Sequence, residues 1–223
     1  MKVLFSVGKA YFPVYKEMIH QLTDLDFEVT HILEAECLDR NKIIENIQDA
    51  SIYITSLAKA DKEIIDAAPH LQYILKAGTG IDNIDLNYAT EKGIPVSNVP
   101  GGNAQSVAEL AIGMMLSLSR EIPQLDRKTK NKEWEHSRGV EISKKKLGII
   151  GLGAIGKAVA TLARAFNMEI TAFANYKDYD AAEKLGVHFI PLNQLLSESD
   201  YIVICTSLSQ ANYHINILVP ATT

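Results

Sequence analysis

Short apolar runs alternate with stretches in which apolar residues recur every three or four positions, from one end of the chain to the other. The runs predict strands over Lys2–Val7, Phe27–Leu33, Ser51–Ser56, Gln72–Lys76, Ile94–Val99, Leu147–Ile150, Ile170–Ala174, His188–Ile190 and Tyr201–Thr206. The periodic stretches predict helices over Pro13–Thr23, Asn41–Gln48, Asp61–Ala67, Asp85–Glu91, Asn103–Arg120, Ala154–Phe166, Asp180–Leu185 and Leu192–Ser197. Alternation of this kind predicts an α/β fold, with parallel sheets covered by helices on both faces. Tyr201–Cys205 (YIVIC) is apolar throughout, as expected of a strand buried on two sides.

The helix over Asn103–Arg120 divides the chain. Pro100-Gly101-Gly102 punctuates its start, Ser106 and Glu109 have the spacing of a capping box, and Val107, Leu110, Ala111, Met114 and Leu118 recur at helical spacing along one face. The following stretch, Arg127–Lys146, is polar, carries the lone Trp134, and ends in Lys144-Lys145-Lys146, a solvated approach to the next strand.

Length and composition narrow the function. At 223 residues the chain has room for one large or two small domains, and 47% apolar with 22% charged residues is the composition of a soluble globular protein. A net charge of −5 disfavours nucleic acid or an anionic membrane as partner. Cys37 and Cys205 stand in no paired spacing and read as reduced thiols, neither a disulfide framework nor a metal site. The apolar run in Met1–Gly8 is too short for a signal peptide, and Leu110–Leu118 is about half of a membrane span. The expectation is a soluble cytoplasmic protein.

Candidate chemistry concentrates in two glycine loops. Gly151-Leu152-Gly153-Ala154-Ile155-Gly156 follows an apolar strand and opens an apolar helix. In that context Gly151 allows a tight turn, Gly153 lets the backbone approach a pyrophosphate, and Gly156 lets helix and strand pack closely. The helix N-terminus then offers unpaired N–H groups to phosphates. A carboxylate that grips the adenosine ribose is expected at the end of the next strand, but Ala174 stands there, followed by Asn175 and Lys177. The ribose grip and the charge that would repel a 2′-phosphate are both missing, which leaves NAD and NADP open. The second loop, Lys76-Ala77-Gly78-Thr79-Gly80, follows the fourth strand, and its successive N–H groups form a candidate anion-binding concavity.

KAGTGIDNID (Lys76–Asp85), NVPGGNAQSVAEL (Asn98–Leu110) and KLGIIGLGAIGKAVA (Lys146–Ala160) together resemble the D-isomer-specific 2-hydroxyacid dehydrogenases, most of all their phosphoglycerate-oxidising branch, over about Val3 to Asn216. The resemblance implies a flavodoxin-like substrate domain over 1–99 and a Rossmann dinucleotide-binding domain over 100–223. The second would be incomplete, because only four of its six strands are visible. It implies hydride transfer between a 2-hydroxyacid and NAD or NADP. Thr79, Gly151, Gly153, Ala154, Ile155, Gly156, Ala174, Asn175 and Thr206 would face the cofactor. Lys76, Gly78, Thr79 and Gly80 would hold the substrate carboxylate. The family's catalytic Arg, Glu and His follow the segment corresponding to Tyr201–Asn216, and none of the six histidines here (20, 31, 70, 136, 188, 214) matches them. No catalytic residue is therefore assigned, and the chain is expected to be truncated and inactive alone, with the Tyr201–Cys205 strand left as an open sheet edge. The family's phosphate-binding arginines are replaced by Lys76 and Thr55, which favours an unphosphorylated substrate. A homodimer through the region after residue 100 is implied too. The alternatives are a non-catalytic nicotinamide-nucleotide sensor and a decayed gene product.

Overall fold

Residues 1–11, 14–208 and 212 are described in the structure, a computed structural model. The chain divides into two units, Met1–Gly102 and Asn103–Thr223.

In the first unit β1 (Lys2–Val7), β2 (Glu28–Leu33), β3 (Ile52–Thr55), β4 (Tyr73–Lys76) and β5 (Val96–Ser97) form a parallel sheet of order β2-β1-β3-β4-β5. Helices α1 (Tyr15–Asp24), α2 (Arg40–Ile47), α3 (Lys62–Asp66) and α4 (Leu86–Glu91) connect the strands. Val3, Phe5 and Val7 pack with Ile54 against Met18, Ile19 and Leu22 of α1. Leu4 points the other way and joins Tyr53, Ile74, Ile43, Ile47 and Ile64 in a separate cluster. Both sheet faces are covered, which is why the central strands read as unbroken apolar runs. Asp39, Asp61 and Asp85 cap α2, α3 and α4 by accepting first-turn backbone N–H bonds.

In the second unit β6 (Lys146–Ile150), β7 (Glu169–Phe173), β8 (Val187–Phe189) and β9 (Tyr201–Ile204) form a parallel sheet of order β8-β7-β6-β9. This is the 3-2-1-4 arrangement of a doubly wound nucleotide-binding sheet. Its helices are α5 (Ala104–Ser119), α6 (Ile122–Lys130), α7 (Ala154–Ala165), α8 (Tyr179–Leu185) and α9 (Leu192–Glu198). Among the described residues, no helix is long and apolar enough to cross a membrane.

Several expectations are corrected. The α5 face packed in the core is Ala108, Ala111, Ile112 and Met115, clustered with Val159, Ala160 and Ala163 of α7. Of the apolar face read from the sequence, only Ala111 is buried and Val107 is half-buried, while Leu110, Met114 and Leu118 are exposed. Alanines win the buried side because small side chains let two helices approach closely, and the apolar pattern alone cannot rank two apolar faces. Ser106 lies inside α5, whose N-cap Asn103 makes no side-chain bond, and Glu109 instead accepts from Gln105 at 2.8 Å. The polar stretch from Arg127 begins inside α6, which was not expected. The lysine run is solvated as expected, with Lys145 and Lys146 each 3.6 Å from Asp200 and Glu198 respectively at the surface. The strand Ile94–Val99 shortens to Val96–Ser97. Finally, β9 ends at Ile204 and has one strand neighbour among the described residues, in line with the open edge expected, but its two faces are only partly covered, with Ile204 41% exposed.

The revised helix face is directly testable. Met115→Ala should destabilise the chain by about 2–5 kcal/mol, whereas Leu118→Lys should stay within about 0.5 kcal/mol, in urea melts at a dilution where the chain is monomeric.

Candidate functional site

The turn after β6 is built from glycines with different physical constraints. Gly151 has φ +99, and its N–H donates to the Phe173 carbonyl at 2.8 Å. A Cβ there would lie 2.9 Å from the Cys205 carbonyl carbon and from the Thr206 nitrogen. The turn is therefore threaded between the ends of β7 and β9. A Cβ on Gly156 would fall 2.2 Å from the Gly151 oxygen, so α7 is pressed against the turn at a distance only glycine permits. Gly153, the N-cap of α7, differs from both: its φ is −82, and a Cβ there would meet nothing within 4 Å among the described residues. No packing among the described residues requires glycine at 153.

The first hydrogen bond of α7 runs from the Lys157 N–H to the Gly153 carbonyl, at 2.9 Å. The N–H groups of Ala154, Ile155 and Gly156 precede it and have no intrahelical acceptor. No acidic side chain occupies the first turn and no side chain caps it, so its positive end is open. These amides and the empty space at Gly153 fit a diphosphate.

Around the turn, Ala174 follows β7 directly and is half-buried, Asn175 is exposed, and Thr206 is exposed beyond β9. The Thr206 hydroxyl accepts from the Asn212 amide at 3.3 Å. The first carboxylate after β7 is Asp178, which pairs with Lys157 at 2.6 Å and accepts from the Ala181 N–H at 3.1 Å. The ammonium and the amide hold Asp178 below the usual carboxylate range. Cys205 lies half-buried beside the turn, and burial pushes its thiol up to about 11. Cys37 is buried and its thiol is also raised by burial.

The loop after β4 is held by side chains instead. Lys76 is 7% exposed, and its ammonium donates to the Ser56 carbonyl and, at 2.5 Å, to Asn83 Oδ1. Burial lowers its pKa, opposed by the Asp82 carboxylate. Gly78 has φ +153, and its carbonyl accepts from the Val99 N–H at 3.0 Å. The Thr79 carbonyl accepts from Asn98 Nδ2 at 2.7 Å, and the Tyr11 hydroxyl donates to the Ala77 carbonyl. The carbonyls are thus turned inward and bonded, while the Thr79 and Gly80 amides find no acceptor among the described residues. Beside this loop is a cavity of about 430 Å³ lined by Gly8, Lys9, Tyr11, Ser56, Lys76, Thr79, Gly80, Asp82 and Asn83, among others. It opens at the carboxyl ends of β1, β3 and β4, where the strand order reverses between β1 and β3.

Lys9, Tyr11, Ser56 and Asn83 were not singled out from sequence. The available signal was positional, since Gly8-Lys9 and Ser56 directly follow strands that flank the switch point. Thr55 is fully buried with its hydroxyl on the Ala58 carbonyl at 3.1 Å, and it does not line the cavity. Nor does any described histidine. His20 lies 3.6 Å from Asp24, His136 packs edge-on to Trp134, His188 lines a different depression, and His31 and His70 are exposed. His214 lies outside the described residues.

Residues 112–216 match the family model described as D-isomer specific 2-hydroxyacid dehydrogenase, NAD binding domain. D-3-phosphoglycerate dehydrogenase of Methanocaldococcus jannaschii is 39% identical over 192 residues, covering 84% of this chain. The chain spans only 37% of that relative's length. Among solved structures, D-lactate dehydrogenase from Aquifex aeolicus, complexed with NAD and lactic acid, superposes with a TM-score of 0.82 at 26% identity, over 97% of this chain and 63% of that one. An acyclic imino acid reductase in complex with NADPH and D-Arg superposes with a TM-score of 0.80 at 26% identity, over 95% of this chain and 67% of that one.

The shielded thiol beside the turn sets an expected reactivity. With its pKa near 11 rather than 9.0, Cys205 carries about a hundredfold less thiolate at pH 8 than an unperturbed thiol. Iodoacetamide should therefore label it at normal rates only after urea is added, as read by mass spectrometry over time.

Proposed function

The chain belongs to the D-isomer-specific 2-hydroxyacid dehydrogenase family, and we propose that it binds NAD or NADP together with a small 2-hydroxyacid or 2-oxoacid. Its place is in an oxidoreductase most like D-3-phosphoglycerate dehydrogenase. The observation that carries this reading is Gly153. It is a glycine that packing among the described residues does not require, at the open positive end of a helix whose approach Gly156 fixes. Gly151, Gly153 and Gly156 with the amides of Ala154 and Ile155 receive the diphosphate, while Ala174, Asn175 and Thr206 flank the rest of the dinucleotide. The bound nicotinamide supplies the hydride acceptor or donor for interconverting hydroxyl and carbonyl.

The substrate carboxylate falls to the free amides of Thr79 and Gly80, with Gly78 giving the loop its turn. Lys76 adds positive potential to the cavity, but its ammonium is already tied to the Ser56 carbonyl and Asn83. It cannot offer the bidentate fork of an arginine to a phosphate. With Thr55 buried, this supports an unphosphorylated hydroxyacid. Because no described histidine lines the cavity, the residues here bind and orient the substrate without supplying an imidazole base. That observation also favours the second reading, a nicotinamide-nucleotide-binding module without turnover. We further assign the chain to the cytoplasm, and its exposed strip of Leu110, Met114 and Leu118 to a homodimer contact.

Binding of NADH and NADPH, followed by nicotinamide fluorescence on the intact chain, tests the reading. Gly153→Val should weaken both by at least about tenfold while shifting Tm by no more than about 4 °C, because the new side chain enters ligand space rather than the core. A flat titration on folded wild-type protein overturns the proposal, and so does a Gly153→Val variant that binds normally. Consumption of NADH or NADPH with 2-oxoacids separates an enzyme from a module. For the dimer, Leu118→Lys should convert a sedimenting dimer to monomer.

A further inference from the structure

We propose that this chain selects the 2′-phosphorylated dinucleotide, NADP, over NAD, and that Lys177 with Asn175 performs the selection. The inference rests on the nucleotide-binding reading above and concerns the residues leaving β7.

Parallel register places Ile150 beside Phe173, and the Gly151 N–H is bonded to the Phe173 carbonyl. The chain leaving β7 therefore departs next to the glycine turn, where the adenosine ribose of a dinucleotide lies when its diphosphate sits on the helix N-terminus. NAD is gripped at this point by a carboxylate that accepts from the ribose hydroxyl. Here the corresponding side chain is the methyl group of Ala174. Asp178, the next carboxylate, has its charge paired with Lys157 and one oxygen on the Ala181 N–H. The segment thus offers no free carboxylate to a 2′-hydroxyl and none to repel a phosphate dianion.

What it does offer is donors. Asn175 is exposed and carries an amide NH₂. Lys177 is exposed, and its ammonium stands 5.9 Å above the Phe189 ring. That contact positions the charge without consuming its N–H bonds. Lys177 makes no ion pair among the described residues, even with Glu183, which lines the same depression. Lys157 is neutralised by Asp178, so Lys177 is the uncompensated cation of this loop. A phosphate dianion beside it gains a charge-assisted hydrogen bond that a 2′-hydroxyl cannot match.

The test is a pair of fluorescence titrations, NADPH and NADH, on the intact chain and two variants whose folding is checked by thermal melts. Wild type should bind NADPH at least about tenfold more tightly than NADH, with the preference shrinking as salt is raised. Lys177→Ala should weaken NADPH by about tenfold and leave NADH within about twofold. Ala174→Asp should reverse the preference. Equal or tighter binding of NADH by wild type overturns the inference while leaving the nucleotide-binding reading intact. Binding of neither nucleotide overturns both. A Lys177→Ala variant with undiminished NADPH affinity removes that residue from the selection.

Discussion

The contact between Gly156 and the Gly151 carbonyl sets the geometry of the second unit's site. With hydrogen in place of a methyl group, the first turn of α7 closes onto the end of β6, where a Cβ would stand 2.2 Å from an oxygen. Any larger residue would force the helix to retreat, carrying its open amides with it. Gly151 is fixed in turn by the Phe173 carbonyl on one side and Cys205 on the other, so the position of the turn is decided by both neighbouring strands. An anion approaching Gly153 meets donors that are already oriented and need no rearrangement.

The first unit reaches a comparable result by other means. Its loop after β4 has no helix end behind it, so side chains hold it in place: Lys76 from beneath, Asn98 on the Thr79 carbonyl, and Tyr11 on the Ala77 carbonyl. Immobilising the carbonyls leaves the amides outward. The buried ammonium of Lys76 is tolerable because two acceptors satisfy it, though burial still depresses its pKa. Both loops lie at the carboxyl ends of parallel strands, the one after β6 at the reversal of strand order and the one after β4 on the second strand from the reversal between β1 and β3.

Much of this was visible in the residue pattern. Runs such as KVLFSV and KLGII predicted strands, whereas the aspartates at 39, 61, 85 and 178 were shown to cap helix starts only by the structure. The glycine spacing announced a strand, a turn and a helix in that order. The pattern failed on α5, where both faces are apolar. Leu110, Met114 and Leu118 form as regular a stripe as Ala108, Ile112 and Met115, and the choice depends on which face meets the alanines of α7. On YIVIC the expected open edge is seen among the described residues, but the expected burial on two sides is only partial.

The sequence by itself determined the α/β class, the order of nearly all the elements, and the two glycine loops, because these depend on local conformational preference and on the period of apolar residues. Only the tertiary structure decided that packing among the described residues demands glycine at 151 and 156 but not at 153, that Asp178 is already paired, and that Lys9, Tyr11 and Ser56 share a cavity with Lys76. Those facts are distances between residues far apart in the chain. They arise only when the sheets close, and no local pattern encodes them.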